Sequence, residues 1–254
     1  MTDYFALLHE PRRPRLDPDR LRRTFLGLAA ETHPDRTHNA PADEQAAANR
    51  RYAELNAAYH CLAEPKARLR HLLELERGAK PADIQTIPPA LADLFAGIAD
   101  VCRQADAFLL ERDQVTSPLL KIQWFERAQE WIGRLNSWQQ KLGGLRDELN
   151  ARLEQLDQQW LEANPSINSM APPAVRETDG DSPSLSAIAS ATADTGGEGR
   201  GEGGRFQTDV NQSPPQIAPP PALLSRIEEL YRLFGYFNRW QNQLQERVAR
   251  LTCE

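Results

Sequence analysis

The chain has 254 residues, 40% of them apolar and 26% charged, with a net charge of −6 at neutral pH; that is enough apolar material for one large core or two small ones. No run approaches the ~18–20 consecutive apolar residues that cross a bilayer, and Met1-Thr2-Asp3-Tyr4-Phe5 has neither the basic start nor the apolar stretch of a signal peptide, so a cytoplasmic protein off the membrane is expected. Arginines interleaved with acidic residues argue against a nucleic-acid binder, and Cys61, Cys102 and Cys253, odd in number and far apart, fit neither a disulfide framework nor a paired-cysteine zinc site.

Apolar residues recur at spacings of three and four rather than alternating, so an all-α chain without strands is expected. A short first helix covers about Tyr4 to Leu8 and stops before Pro11. The second has Asp17 as N-cap and Pro18 at its first position, then places Leu21, Phe25, Leu28 and Ala29 on one face until Pro34. A third runs from about Pro41, with Asp43 and Glu44 at its positive end and Ala48, Tyr52, Leu55, Tyr59 and Leu62 on one face, to Pro65. A fourth bears Leu69, Leu72, Leu73 and Leu75 before Gly78.

A linker from Gly78 to Pro89 is expected to divide this unit, residues 1–77, from a second one. Two helices fill 88–161: one carries Leu91 to Leu109, and a longer one runs from Pro118 to Trp160 with a kink expected at Gly143-Gly144. Residues 163–221 are rich in Pro, Gly, Ser and Asp, too poor in apolar surface to offset their ordering entropy, and are expected to be disordered. The last helix, 222–252, keeps Ile227, Leu230, Phe234, Phe237, Leu244, Val248 and Leu251 in near-heptad register and should close an antiparallel three-helix bundle. Its Phe234, Tyr236, Phe237 and Trp240 could in part receive a partner instead.

His33-Pro34-Asp35 sits in the turn between the second and third helices. Proline disfavours helical geometry at the residue before it and stiffens the turn, so His33 and Asp35 are displayed with little freedom left to lose. The plainer alternative is a histidine favoured by the helix C-terminal dipole and an aspartate that merely forms a turn.

With Asp3-Tyr4-Phe5 and Leu7-Leu8 at the opening, Phe25 and Leu28 in the second helix, and Leu55-Asn56, Ala58-Tyr59, Leu62, Pro65 and Arg68 in the third and its exit, the first 75 or so residues resemble a J domain. The resemblance implies a co-chaperone that binds a DnaK-type chaperone and stimulates its ATP hydrolysis. Its docking residues would be His33, Pro34 and Asp35 together with Arg20, Arg22, Arg23 and Arg36, Asp35 being essential. Late in the second helix, where the family is usually basic, this chain has Leu26, Gly27 and Glu31. Pro65, Ala67, Arg68, Leu72-Leu73-Glu74-Leu75 and Gly78 resemble the exit of HscB-type co-chaperones, which leads into a small helical domain that presents an apolar patch to an iron–sulfur scaffold protein. By position, Leu94, Phe95 and Ile98 would be that client patch, with bundle core as the alternative.

No enzyme is expected, because there is no phosphate loop or nucleophile elbow. No cofactor or metal is expected either: His33 and His38 stand five apart across a proline turn, and His60 and His71 fall on different helices. The competing reading is a J-like structural adaptor whose bundle scaffolds another assembly without activating a chaperone.

Overall fold

A computed structural model describes residues 2–33, 40–81, 87–113, 118–165 and 220–252, the side chains of 118–122 excepted. Pro34, Asp35 and Arg36 of the expected docking corner, Cys253, and all of the expected disordered stretch except its two ends lie outside the described residues.

Every regular element among the described residues is helical. In chain order they are α1 (Tyr4–Leu7), α2 (Pro18–Glu31), α3 (Ala42–Ala63), α4 (Pro65–Arg77), a 3-10 turn (Pro89–Leu91), α5 (Ala92–Asp113), α6 (Pro118–Ala163) and α7 (Pro221–Thr252). Side chains at the boundaries explain several of the limits. Asp17 accepts from the backbone N–H of Asp19 and Arg20, at 2.9 and 3.2 Å, and so caps α2 ahead of Pro18. Glu64 does the same for α4 by accepting from Ala67 N–H at 2.5 Å. Gly78 closes α4 at φ +68°, the left-handed geometry that favours glycine at a helix C-terminus.

The helices build two cores in series. The first joins Phe5, Leu8, Leu21, Leu55, Leu62 and the α4 row Leu69, Leu72 and Leu73 to Leu149, Leu156 and Trp160 of α6 and Ile227, Leu230 and Phe234 of α7. The second joins Ile98, Ala105, Phe108 and Leu109 of α5 to Leu135 and Leu142 of α6 and Trp240, Leu244 and Leu251 of α7. Contacts between α5 and α6 run in opposite directions (Gly97 with Trp138, Phe108 with Trp124), as do those between α6 and α7 (Gln159 with Arg226, Arg152 with Leu233 across a shared cleft). The three therefore form an up-down-up bundle. At 46 residues α6 is about 69 Å long, long enough to serve both cores, and it continues through Gly143 and Gly144 as one helix.

Residues on both sides of the expected linker, 78–89, share the first core. Leu149, Leu156, Trp160, Ile227 and Leu230, read as bundle residues, seal the N-terminal core instead. The reason is α4: Leu69, Leu72 and Leu73 are fully buried, and α7 is the helix that α4 packs against most closely. Each such side chain contributes about 1.5–3 kcal/mol on burial. Polar ties add direction. The Trp160 indole N–H donates to Arg12 O at 2.8 Å. Asp157, 3% exposed, pairs with Arg13 and accepts from Arg15 N–H at 3.0 Å. Asn238 donates to Glu64 at 2.9 Å. Phe234, Tyr236 and Trp240 are buried in these cores, so they are not the receiving surface considered from the sequence.

Candidate functional site

The hairpin of α2 and α3 forms because each helix carries an apolar face and the segment between them is short. Phe25 stacks on Tyr59 with ring centroids 4.4 Å apart, and His33 meets Tyr52 edge-on at 5.5 Å. The pairs 25 with 59 and 33 with 52 make the two helices antiparallel. Thr32 ends α2, its N–H and its hydroxyl both donating to Leu28 O, at 3.2 and 2.9 Å. His33 follows at once and is half-buried, so the described part of the corner is held against α3 and still reaches solvent.

Of the arginines named from the sequence, the three that are described differ in their surroundings. Arg20 is taken up inside the fold: its guanidinium grips Glu10, both contacts at 3.1 Å, and the Glu10 side chain is only 2% exposed. Burial pushes the Glu10 carboxyl up while Arg20 pulls it down, so the arginine serves to compensate a buried acid. Arg22 and Arg23 are exposed, and one turn further Leu26 is 53% exposed beside an exposed Gly27. The solvent side of α2 thus runs from Asp19 through two cations and an apolar step to Glu31. Arg36 lies outside the described residues.

The client patch is also divided. Ile98, 1% exposed, is bundle core, the alternative open from the sequence, and Leu94 is half-buried against the same cluster, because both stand on the face of α5 that packs on α6 and α7. Phe95 is 40% exposed, its ring 6.2 Å from Trp240. It opens a groove of about 480 Å³ between α5 and α7, floored by Cys102 and reaching Leu110, which is 63% exposed. Arg247 rims the groove, donating to Asp106 at 2.6 Å and to Cys102 O at 3.3 Å. Leu110 was missed because Phe108 and Leu109 beside it are core; the spacing Phe95, Ala99, Cys102, Asp106, Leu110, one residue per helical turn, was the available signal.

A second cavity, about 550 Å³, lies where α2, α3 and α4 meet α6, lined by Tyr59, Arg15, Asp147 and Glu154 among others. At its base Arg68 is buried, donating to Pro14 O at 2.8 Å and Leu62 O at 2.5 Å, and burial pushes its pKa down to about 10. It remains a cation at neutral pH whose hydrogen bonds staple the 10–17 segment to the α3–α4 corner. Among the described residues no group of three or more His, Cys, Asp or Glu side chains could hold a metal ion, and no helix is long and apolar enough to cross a membrane.

Comparison with known proteins gives one consistent likeness. The chain is 37% identical over 73 residues to a co-chaperone protein HscB homologue of Azoarcus sp. (strain BH72), a match covering 29% of this chain and 41% of that one. It is 26% identical over 164 residues to the HscB homologue of Haemophilus ducreyi, covering 65% of this chain and 85% of the relative. The chain spans about two fifths of the length of the Azoarcus relative and of a similar one from Bordetella pertussis. Among solved structures, chaperone HscB from Vibrio cholerae aligns over 96% of this chain and 99% of its own at 16% identity, with a TM-score of 0.43. No protein-family profile matches the chain.

Proposed function

We propose that this chain is a co-chaperone of the HscB type, similar to the homologues just described. Its α2–α3 hairpin docks on a DnaK-type chaperone through His33, Pro34 and Asp35, flanked by Arg22, Arg23 and Leu26, and stimulates that partner's ATP hydrolysis. Catalysis belongs to the partner. The rest of the chain carries the client, an iron–sulfur scaffold protein, at the Phe95 end of the groove between α5 and α7. A cytoplasmic location goes with this reading.

The observation that carries it is the antiparallel hairpin whose α2 ends at Thr32 and holds His33 against Tyr52, with Arg22 and Arg23, unpaired among the described residues, about three turns earlier on the solvent side. A histidine already held against α3 loses little conformational freedom on docking, and cations without an internal partner are available to a negative surface. Single-turnover ATPase with the cognate chaperone tests it. Stimulation should vanish in His33→Gln and in Asp35→Asn, weaken in Arg22→Gln/Arg23→Gln, and persist in Phe95→Ala, which should instead lose the scaffold in a pull-down.

One observation favours the adaptor reading: Leu26 and Glu31, at helix positions that are basic in J domains, are exposed. Under that reading Asp35→Asn keeps every partner and no variant alters ATP turnover.

A further inference from the structure

The first half of α6 carries a pattern that the proposed function does not use. Trp124, Trp131 and Trp138 recur every seventh residue, and each is followed three residues later by a cation: Arg127, Arg134 and Lys141. Each cation lies over its own indole, with centroid distances of 4.5, 4.5 and 3.9 Å. The indoles are half-buried along the seam with α5, where Trp124 and Trp131 pack on Phe108 and Trp138 covers Gly97. The cations themselves are exposed, and none forms an ion pair within the described residues. Elsewhere arginines find carboxylates: Arg13 pairs with Asp157, Arg20 with Glu10, Arg77 with Glu228 and Arg247 with Asp106.

A seven-residue step on a helix is about 10.5 Å, so the three charges form a straight row about 21 Å long. The indole beneath each head restricts its rotamers and favours its position, so less side-chain freedom is lost when an anion arrives. Stacked bases are poorly suited as that anion, because each indole already has a cation over its ring and is half-buried against α5. Carboxylates need only the outer side of the cation.

We infer that this cation-over-tryptophan row is a docking strip for an acidic polypeptide segment of a partner protein, one that presents carboxylates about 10 Å apart, as Asp or Glu at every seventh position of a helix does. The row is separate from the α2–α3 corner, and the inference stands whether or not the chain activates a chaperone.

The probes are synthetic peptides titrated into the full-length protein. One carries Glu at every seventh position on an Ala/Gln background, a second has the same composition with its glutamates clustered, and an oligothymidylate strand serves as a general polyanion. The spaced peptide should bind, change the indole emission, and weaken as salt is raised. Arg127→Gln/Arg134→Gln/Lys141→Gln should weaken it about tenfold or more, the product of three modest surface ion pairs. Arg127→Lys/Arg134→Lys should keep binding, and circular dichroism should match wild type in both variants. Five results overturn the inference: no binding, equal binding of the clustered peptide, tighter binding of the oligonucleotide, indifference to the triple substitution, or self-association of the protein that the triple substitution abolishes.

Discussion

Gly97→Ala tests how closely α5 approaches α6. A Cβ built at Gly97 falls 2.7 Å from Trp138 Cζ2 and 3.0 Å from Cζ3, whereas carbon atoms pack comfortably at about 3.5–4.0 Å. The indole would have to retreat by about 1 Å or more, and its other side is occupied by Lys141, whose Nζ is 3.9 Å from the ring centroid. Overpacking of this kind costs about 1–3 kcal/mol. Against it stands the gain of about 0.8–1 kcal/mol for replacing glycine by alanine inside a helix, so the net is a loss of roughly 0–2 kcal/mol. Gly133→Ala isolates the second effect, since an added Cβ there meets nothing within 4 Å. Urea unfolding followed by tryptophan emission should therefore find Gly133→Ala more stable than wild type and Gly97→Ala less stable, separated by about 1–3 kcal/mol. Equal stabilisation by the two substitutions would refute the close approach.

Two further outcomes follow from the buried polar groups. Arg20→Ala strands a nearly sealed Glu10 and should cost about 1–3 kcal/mol, while Arg22→Ala stays within about 0.5 kcal/mol; restoration of the Arg20→Ala loss by adding Glu10→Gln confirms the cause, and equal effects of the two alanine variants contradict it. His71 Nε2 accepts from Tyr4 N–H at 3.1 Å, and burial lowers its pKa, so the neutral imidazole is the folded form. A lowered folded-state pKa gives stability that is complete above the unfolded value of about 6.5 and fades as pH falls through the folded one. The urea midpoint should accordingly drop between pH 7.5 and 5.5 by more in wild type than in His71→Phe; parallel declines would remove the histidine from the account.

The helices were legible because their punctuation is local. Asp17-Pro18, Glu64-Pro65 and Gly78 act within one turn, and each sets a boundary where its chemistry requires it. The pairing of helices was legible only in part. Periodicity tells that Leu149, Leu156 and Trp160 face something apolar, but not that this is the leucine row of α4 rather than α5, since both are amphipathic and both lie within reach of a 46-residue helix. The same limit applies to the site. Arg20, Arg22 and Arg23 are one charge cluster in sequence, yet Arg20 is drawn inward by Glu10, an acid ten residues upstream whose burial depends on the whole fold. Gly97 stands among the client-patch positions Leu94, Phe95 and Ile98 with no side chain to mark it, yet it is where Trp138 approaches from a helix about forty residues away.

Because α6 and α7 run through both cores, a chain cut after Gly78 would present Leu69, Leu72 and Leu73 to water. The helix pair behaves as a beam with a fixed fitting at each end. The bearing of His33 relative to the Phe95 groove is set by the shared phase of α6 and α7, and a single residue inserted between Leu142 and Leu149 would turn one half of the α6 apolar face by about 100° against an α7 that still spans both cores.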